Sequence, residues 1–475
     1  MGAGAVWMLS LQELSARSGY RGTRVIDGVS PYGPIGPKKD ETTGLELLKL
    51  PDGFRYWSYS WTGDEMSDGV PCPNLHDGMA VVDDWRASDS EAKVDSELAD
   101  NESRLSDRDK RYDDDDYRRP RTGKVILVRN HEGDVGPTYL PGRPDITYAP
   151  TDMPTGNGGT TNLVFDTKRG KWLASWASLA GTVRNCAGGV TPWGSWLTCE
   201  ETAAAGHGWV FDVGFRKGNT TPLIEMGRFS HEALMVDPRS GNVYETEDSG
   251  NSGLFKFVPY RSGQLDQGGR LYMLAIKNEP NLDLGKFWPI GTCWDTRWVR
   301  IDDPTAATES CYAQGAAKGG ARFSRLEGAW WGDRSGYFLS TNGGSAGEGQ
   351  VFEYDPRDET LKVIYDAPNA NSLDNPDNMT VTPRGGLLLC EDAAGNGFTE
   401  GERLVGLTLH GQAFTFAMNN MNLTTNYNDV VVAADYRQSE WAGACYSPDG
   451  RWLFVNIQTP GVTFAITGPW GHGPL

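Results

Sequence analysis

Five stretches of the sequence begin with a potential metal ligand and continue into a short strand that ends at a tight Gly turn. They start at Cys186, Glu232, Glu327, Asn378 and Glu440, and a sixth stretch with the same pattern starts at Asn162. Ligand-type residues that recur at one structural position indicate several small sheets that direct their side chains toward a shared axis. The pattern predicts a multi-metal site inside a β-propeller.

A second apolar segment follows each Gly turn, and three of these segments end in paired acids. The pairs are Glu200-Glu201, Glu247-Asp248 and Glu391-Asp392. A strand, a Gly or Pro turn and a second strand form a hairpin, and hairpins repeated at irregular spacing are typical of propeller blades. The alternative is that Asp-Pro and Ser-Pro-Asp-Gly sequences are simply good turns, but this leaves the acids beyond the turns unexplained.

The repeated positions together offer many oxygen ligands and one thiol. The set comprises Asn162, Cys186, Glu200, Glu201, Glu232, Glu327, Glu391, Asp392 and Glu440. Calcium takes roughly six to eight oxygen ligands, whereas a thiolate favours iron or zinc. Carboxylates gathered at one axis repel one another unless cations lie between them. The sequence therefore predicts a mixed metal cluster, with a buried structural thiol as the alternative for Cys186.

Arg325 precedes Glu327 by two residues, so on a strand both side chains would point to the same face. An arginine beside a metal–carboxylate cluster is suited to bind phosphate oxygens with its planar guanidinium. A salt bridge to one of the acids is the alternative. The sequence contains no Gly-x-Ser-x-Gly elbow, P-loop or dinucleotide fingerprint that would suggest another chemistry.

The composition favours an all-β fold and argues against one class of partner. The 475 residues include 60 Gly and 17 Trp, long amphipathic helical patterns are missing, and a single propeller fits this length. The net charge of −19 leaves no excess of Lys and Arg for a nucleic-acid-binding surface. Such an acidic surface serves solubility and suits a protein that concentrates divalent cations.

We expect one propeller domain over residues 21–475, preceded and interrupted by irregular segments. Residues 1–20 resemble the remnant of an export signal or form a short helix, and they are too short to span a membrane. Residues 83–121 carry almost no apolar side chains, which predicts a charged, disordered insertion. Among the seven cysteines, Cys293 and Cys311 could form a disulfide if the protein is exported.

Motifs along the chain resemble those of the PhoX family of secreted alkaline phosphatases. They are Leu50-Pro-Asp-Gly-Phe-Arg55, Asp68-Gly69 with His76-Asp-Gly-Met79, Leu127-Val-Arg-Asn-His-Glu132, Gly158-Gly-Thr-Thr-Asn162, Thr191-Pro-Trp-Gly194, Leu197-Thr-Cys-Glu-Glu201, Gly227-Arg-Phe-Ser-His-Glu232, Ser447-Pro-Asp-Gly450 and Pro460-Gly-Val-Thr463. Apart from residues 1–20 and the insertion at 83–121, the resemblance covers essentially the whole chain.

The resemblance implies an all-β, six-bladed propeller that holds two Fe³⁺ and three Ca²⁺ ions in its central channel and hydrolyses phosphate monoesters. The metal ligands that it implies are Asn162, Cys186, Glu232, Glu327, Asp392 and at least one of Glu200 and Glu201. It implies a phosphate contact for Arg325, a substrate-binding role for Asn162, and catalytic roles for Cys186 and Glu232 beside Arg325. A metal-bound oxygen would attack phosphorus, so that no protein nucleophile is required. The expected setting is an exported, periplasmic or extracellular monomer.

Two other functions fit the same fold. One is a calcium-dependent hydrolase of lactones or phosphotriesters, which would have a one-calcium site with few acids and no thiolate. The other is a non-catalytic, calcium-stabilised binding propeller, in which Arg325 would be dispensable. The position of Cys186 among many carboxylates favours the phosphatase.

Overall fold

The computed structural model describes residues 27–85, 123–214, 219–392 and 400–475, which form 26 strands and little helix. The N-terminal strands are β1 (Ile35–Lys38), β2 (Leu48–Pro51) and β3 (Arg55–Tyr59). A first group contains β4 (His76–Trp85), β5 (Lys124–His131), β6 (Gly158–Asp166) and β7 (Lys171–Thr182). A second contains β8 (Asn185–Val190), β9 (Ser195–Glu200) and β10 (Val210–Gly214).

The remaining strands form four further groups. They are β11 (His231–Val236), β12 (Val243–Glu247), β13 (Leu254–Pro259), β14 (Gly269–Ile276) and β15 (Cys293–Arg300); β16 (Leu326–Trp331), β17 (Gly336–Ser340), β18 (Gln350–Asp355) and β19 (Thr360–Asp366); β20 (Pro376–Val381), β21 (Gly386–Glu391), β22 (Arg403–Thr408) and β23 (Ala413–Asn419); and β24 (Trp441–Tyr446), β25 (Leu453–Ile457) and β26 (Val462–Thr467). The helical parts of the described residues are α1 (Cys311–Ala316) and 3₁₀ turns at Ile224–Met226, Leu265–Gln267 and Trp470–His472.

Each group is an antiparallel meander whose consecutive strands pair. The first strands of the six groups, β4, β8, β11, β16, β20 and β24, pack side by side in this order, and β24 packs against β4. The N-terminal strand β3 pairs with β26, so the two ends of the chain complete the last sheet together. The fold is propeller-like, as predicted, and almost entirely β. The predicted number of six blades stays a prediction, because β15 also pairs with β19 and joins two groups into one nine-stranded sheet.

The two irregular segments of the sequence fall largely outside the described residues. Strand β4 extends to Trp85, so the predicted insertion begins within this strand, and residues 86–121 lie outside the described range, as does the predicted helix or signal remnant at 1–20. The limits of a single domain stay a prediction. All seven cysteines are free, with Cys293 exposed and Cys311 buried. Among the described helices, none has the length and apolar composition needed to cross a membrane.

The first strands approach one another so closely that their sequences require small residues. A Cβ atom on Gly78 of β4 would lie 2.6 Å from the Ala187 Cα atom of β8. A Cβ atom on Gly443 of β24 would lie 2.4 Å from the carbonyl oxygen of Asp77. Backbone therefore packs directly on backbone around the axis, and the side chains between these glycines are brought together.

Replacing Gly443 by alanine tests this close approach. Gly443 has a φ of +64°, and its added methyl group would meet the Asp77 backbone. Gly385 is a matched control, because its φ is +84° and a methyl group added there would have no neighbouring atom within 4 Å. We expect Gly385→Ala to cost about 1–2 kcal/mol of unfolding free energy from the left-handed backbone alone, and Gly443→Ala to cost clearly more. Equal losses in denaturant titrations would contradict the close packing.

Candidate metal centre

The second residue of five of the six first strands is an acid or a thiol. These residues are Asp77 in β4, Cys186 in β8, Glu232 in β11, Glu327 in β16 and Asp377 in β20, and β24 has Ala442 at this place. The pairing of each of these five strands with its neighbour shifts register at this residue. A β-bulge turns a side chain out of the regular alternation, so the bulges orient these five residues independently of the rest of their strands.

A backbone kink precedes four of these strands. Leu75, Arg184, Arg325 and Asn375 have positive φ values between 43° and 50°, which is costly for residues other than Gly. Their carbonyl oxygens accept hydrogen bonds from the N–H groups of Glu132, Glu201, Thr341 and Asp392, respectively, at 2.8–3.0 Å. Each kink thereby binds the residue that directly follows the second strand of its group.

Eight side chains form what we call the axial cluster. Its members are Asp77, Glu132, Cys186, Glu201, Glu232, Glu327, Asp377 and Glu440. They make four overlapping groups of three whose potential ligand atoms lie within 4.8 Å of one another: Asp77, Cys186 and Asp377; Glu132, Cys186 and Glu201; Asp77, Glu132 and Glu440; and Glu232, Glu327 and Asp377. Asp77, Glu132, Cys186 and Asp377 each belong to two groups, so the four groups are parts of one site.

Burial and mutual repulsion destabilise the charged forms of the cluster. Burial, followed by the charges of neighbouring acids, raises the pKa values of Asp77, Glu232 and Glu327 well above their ordinary range, and that of Asp377 to about 7. Both carboxylate oxygens of Glu232 and Oδ2 of Asp77 are buried without a nitrogen or oxygen donor. Such groups need either protons or cations. Several metal ions would allow the whole cluster to ionise.

The Cys186 thiol is subject to the same environment. Burial raises its pKa well above the usual value, and the charges of Asp77, Glu232 and Asp377 raise it further. Only 6% of the residue is exposed. The thiolate form therefore requires a cation at this position, because the protein itself opposes a negative charge there.

The paired acids of the second strands divide into two kinds. The first acid of a pair binds backbone: Glu200 accepts hydrogen bonds from the N–H groups of Val183, Gly208 and Trp209 and from His207 Nδ1. Glu391 accepts hydrogen bonds from Asp374 N–H and from the Arg403 side chain. Glu201, the second acid of its pair, lies on the opposite face of the chain and belongs to the axial cluster. The structure thus brings Glu201, rather than Glu200, to the potential ligands.

Two arginines at equivalent kinks contact the acids of the site. Arg325 binds Asp248 with two hydrogen bonds, Nε–Oδ1 at 2.9 Å and Nη2–Oδ2 at 3.0 Å, and its Nη2 also lies 3.0 Å from Glu327 Oε1. Arg184 Nη2 lies 2.5 Å from both Glu132 Oε1 and Glu201 Oε2. The side chains are 43% and 38% exposed, so both guanidinium groups can meet a ligand that arrives from solvent.

The predicted site residues have different positions relative to the axial cluster. Cys186, Glu201, Glu232 and Glu327 belong to it, and Arg325 contacts it. Asp392 lies beside it, because its charge contributes, after burial, to the raised pKa values of Asp377 and Glu440. Asn162 lies in the middle of β6, opposite Val128 and Trp176, and belongs to none of the four groups. Its predicted role as a metal and substrate ligand stays a prediction.

Four members of the site were not among the predicted ligands. Asp77 fits the strand template, but the ligand set omitted it; Asp377, Glu132 and Arg184 were also omitted. One stretch was aligned on Asn378, whereas the cluster uses Asp377, one residue earlier, and Asn378 Nδ2 donates to Asp377 Oδ2 at 3.0 Å. The sequence contained a signal for the omitted acids, because Asp77, Glu232 and Glu327 each occupy the second position of their strand.

Fold and site together define a propeller-like protein whose axis carries potential metal-binding groups. The chain matches the family model of alkaline phosphatase PhoX over residues 30–461. The chain belongs to this family of phosphatases, and the resemblance read from its motifs is confirmed. No curated protein sequence matches the chain.

Two solved structures are similar to this chain. Pseudomonas fluorescens PhoX in complex with vanadate, described as a transition state analogue, is similar with a TM-score of 0.60 and 15% identity, over 92% of this chain and 98% of that chain. A gluconolactonase from Xanthomonas campestris is similar with a TM-score of 0.40 and 12% identity, over 93% of this chain and 99% of that chain. The first of these supports the propeller-like architecture.

Exchanging each acid of the Glu200-Glu201 pair for glutamine tests the division between structural and axial acids. Glu200→Gln replaces one acceptor oxygen with a donor among three backbone N–H groups, which costs about 1–3 kcal/mol per unsatisfied buried group. We expect it to lower the melting temperature of the chelated protein. Glu201→Gln should leave that temperature nearly unchanged but lower the bound metal measured by elemental analysis. The reverse pattern would show that Glu200 is the ligand.

Proposed function

We propose that this protein hydrolyses small phosphate monoesters, releasing inorganic phosphate, with iron and calcium ions bound by the axial cluster. The observation that carries the proposal is the buried Cys186 thiol beside the carboxylates of Asp77 and Glu232, which have oxygens without a nitrogen or oxygen donor, in a chain of the alkaline phosphatase PhoX family. Neither a structural core nor a single calcium site accounts for a thiol and seven acids in four overlapping groups of potential ligands.

The donor set fits the two Fe³⁺ and three Ca²⁺ ions that the family resemblance implies. Cys186 would hold iron, because a thiolate prefers a transition metal. The carboxylates of Asp77, Glu232, Glu327 and Asp377 would hold iron and calcium together, since they offer only hard oxygen atoms. Glu201, and not Glu200, is the ligand that we propose from the acid pair, and Asp392 and Asn162 remain proposed ligands. Bound cations would supply the attacking oxygen and neutralise charge on the phosphoryl group.

Arg325 is the residue that we propose to bind the phosphate. Its guanidinium donates hydrogen bonds to both oxygens of the Asp248 carboxylate. Two oxygens of a phosphate monoester present a similar geometry. Substrate could replace Asp248 in this pairing without a change in the protein backbone. Charge that develops on the phosphoryl oxygens in the transition state would then meet a fixed positive group.

Arg184 is proposed to position the acids instead of binding substrate. Its contacts with Glu132 and Glu201 hold two members of the axial cluster on either side of Cys186. Because these acids are mostly buried, a guanidinium between them limits their repulsion before metal binds. Positioning of this kind prepares a cation site at a lower cost in conformational entropy.

The Pseudomonas fluorescens relative is described in complex with vanadate, a transition state analogue, which supports the proposal of phosphoryl transfer. We further propose that the protein is exported, as the family resemblance implies, and that it acts as a monomer. The net charge of −19 agrees with a small-molecule substrate in preference to nucleic acid.

Replacing Cys186 by alanine tests the metal assignment and the activity together. We expect Cys186→Ala to lose iron, by elemental analysis, and at least 100-fold in hydrolysis of an aryl phosphate, roughly the effect of removing one essential electrostatic group. Cys445→Ala is the control, because Cys445 is another buried free thiol, on β24, outside the axial cluster. Chelation of the wild type should abolish activity. Activity that persists in Cys186→Ala after iron is lost, or calcium as the only metal in the wild type, would overturn the proposal.

Replacing Arg325 by glutamine tests phosphate binding separately. We expect kcat/KM for the aryl phosphate to fall about 100-fold or more, and inhibition by vanadate to weaken, while iron content is unchanged. Arg437→Gln provides a matched control, since Arg437 also binds an aspartate, Asp435, with two hydrogen bonds but lies on a surface loop. Wild-type kinetics in Arg325→Gln would assign this arginine to a salt bridge only.

A further inference from the structure

The carboxylate of Asp374, which lies outside the axial cluster, lacks hydrogen-bond donors. Asp374 lies in the loop between β19 and β20, is 0% exposed, and has no hydrogen-bond donor at either carboxylate oxygen. Its backbone N–H donates to Glu391 Oε1 at 2.9 Å, which fixes the residue in place. A fully buried carboxylate without donors is among the most costly arrangements in a protein.

The nearest acid makes this arrangement more costly still. Glu348 is half-buried in the loop 341–349 between β17 and β18. Burial, followed by the charge of Glu348 and its contact with the Asp374 carboxyl group, raises the pKa of Asp374 to about 6. Arg403, whose charge lowers the pKa of Asp374, donates no hydrogen bond to the Asp374 carboxylate. Arg403 donates to both Glu391 oxygens, to the Asn371 carbonyl and to the Ala370 carbonyl. Above about pH 6, two carboxylates would therefore share a space that contains no donor for Asp374.

We propose that Asp374 and Glu348 are ligands of a calcium ion that joins the loop 341–349 to the loop before β20, apart from the axial cluster. The ligands are oxygen only, which favours calcium over a transition metal. Gln350, two residues beyond Glu348, also has a buried amide oxygen, Oε1, without a donor. The loop contains Gly344, Gly347 and Gly349 with positive φ values, and its irregular backbone exposes carbonyl groups of the kind that complete calcium shells.

The charges that act on Asp374 distinguish this site from the axial cluster. Asp374 is influenced by Glu348 and Arg403, whereas Asp377, three residues later, is influenced by Asp392, Glu132 and Asp248. The two positions belong to different electrostatic environments although they are close in sequence. An ion at Asp374 would therefore not substitute for one in the axial cluster.

The site would connect one loop that is hydrogen-bonded to Arg325 with a second loop that leads into Asp377. The loop 341–349 begins at Thr341, whose N–H donates to the Arg325 carbonyl at 3.0 Å. The other loop contains Asn375, whose carbonyl accepts a hydrogen bond from Asp392 N–H and which lies two residues before Asp377. Calcium between the loops would fix Arg325 and Asp377 relative to each other.

Calcium binding by chelated and then titrated full-length protein tests the proposal. The variants are Asp374→Asn and Glu348→Gln, and the control is Asp358→Asn, an exposed acid in the turn between β18 and β19. By calorimetric titration, we expect each of the two variants to bind one calcium ion fewer per chain than the wild type and the control. Iron content should stay the same in all four proteins. Equal calcium counts would mean that Asp374 and Glu348 share a proton, and the proposal would fail.

Hydrogen exchange provides a second measurement in case Asp374→Asn folds poorly. Calcium should slow exchange of the amides in residues 341–349 in the wild type and in Asp358→Asn, and this protection should be lost in Glu348→Gln. Glu348 is half-buried on a loop, so its substitution does not endanger the core. Calcium protection of this loop that survives in Glu348→Gln would overturn the assignment.

Discussion

Repulsion among buried acids is the constraint on which the rest of this structure depends. Asp77, Glu232, Glu327 and Asp377 meet in a space where burial and one another's charges raise all of their pKa values. Without cations, the fold can keep them together only by holding protons on them, which becomes harder as pH rises. Such a site favours metal binding, because cations relieve the repulsion that makes the metal-free arrangement unfavourable.

The fold meets this constraint with backbone geometry, because the side chains alone would move apart. Bulges orient the second residue of each first strand, and strained kinks at Arg184 and Arg325 fix the residues beyond the second strands. Glycines at positions such as Gly443 keep the strands near the axis. The structural acids, such as Glu200, secure the same loops through backbone N–H groups. Strain in the loops is thus balanced by packing in the sheets.

Much of this arrangement could be predicted from sequence, and the failures have a physical cause. Hairpins with terminal acids identified the propeller-like fold, and ligand-type residues before apolar strands identified Cys186, Glu232 and Glu327. Register could not be predicted for the stretch that begins at Asn378, because a bulge moves the axial position to Asp377. Asn162 fits the same local pattern in β6, the third strand of its group, and its role as a ligand stays a prediction. Local patterns identify strands, whereas distance from the axis depends on pairing.

The difference between the two arginines follows from the acids around them. Each binds the acid that follows the second strand of the preceding group: Arg184 binds Glu132, and Arg325 binds Asp248. In its own group, Arg184 also meets Glu201 at that place, whereas Arg325 meets the neutral Thr341 through its backbone. Arg184 therefore pairs with two acids that follow second strands, whereas Arg325 pairs with one such acid, Asp248, and with the axial acid Glu327. In the proposed binding mode, a phosphate dianion displaces Asp248 from Arg325, whose other contact, Glu327, belongs to the axial cluster, and it approaches on the β16 side of the axis.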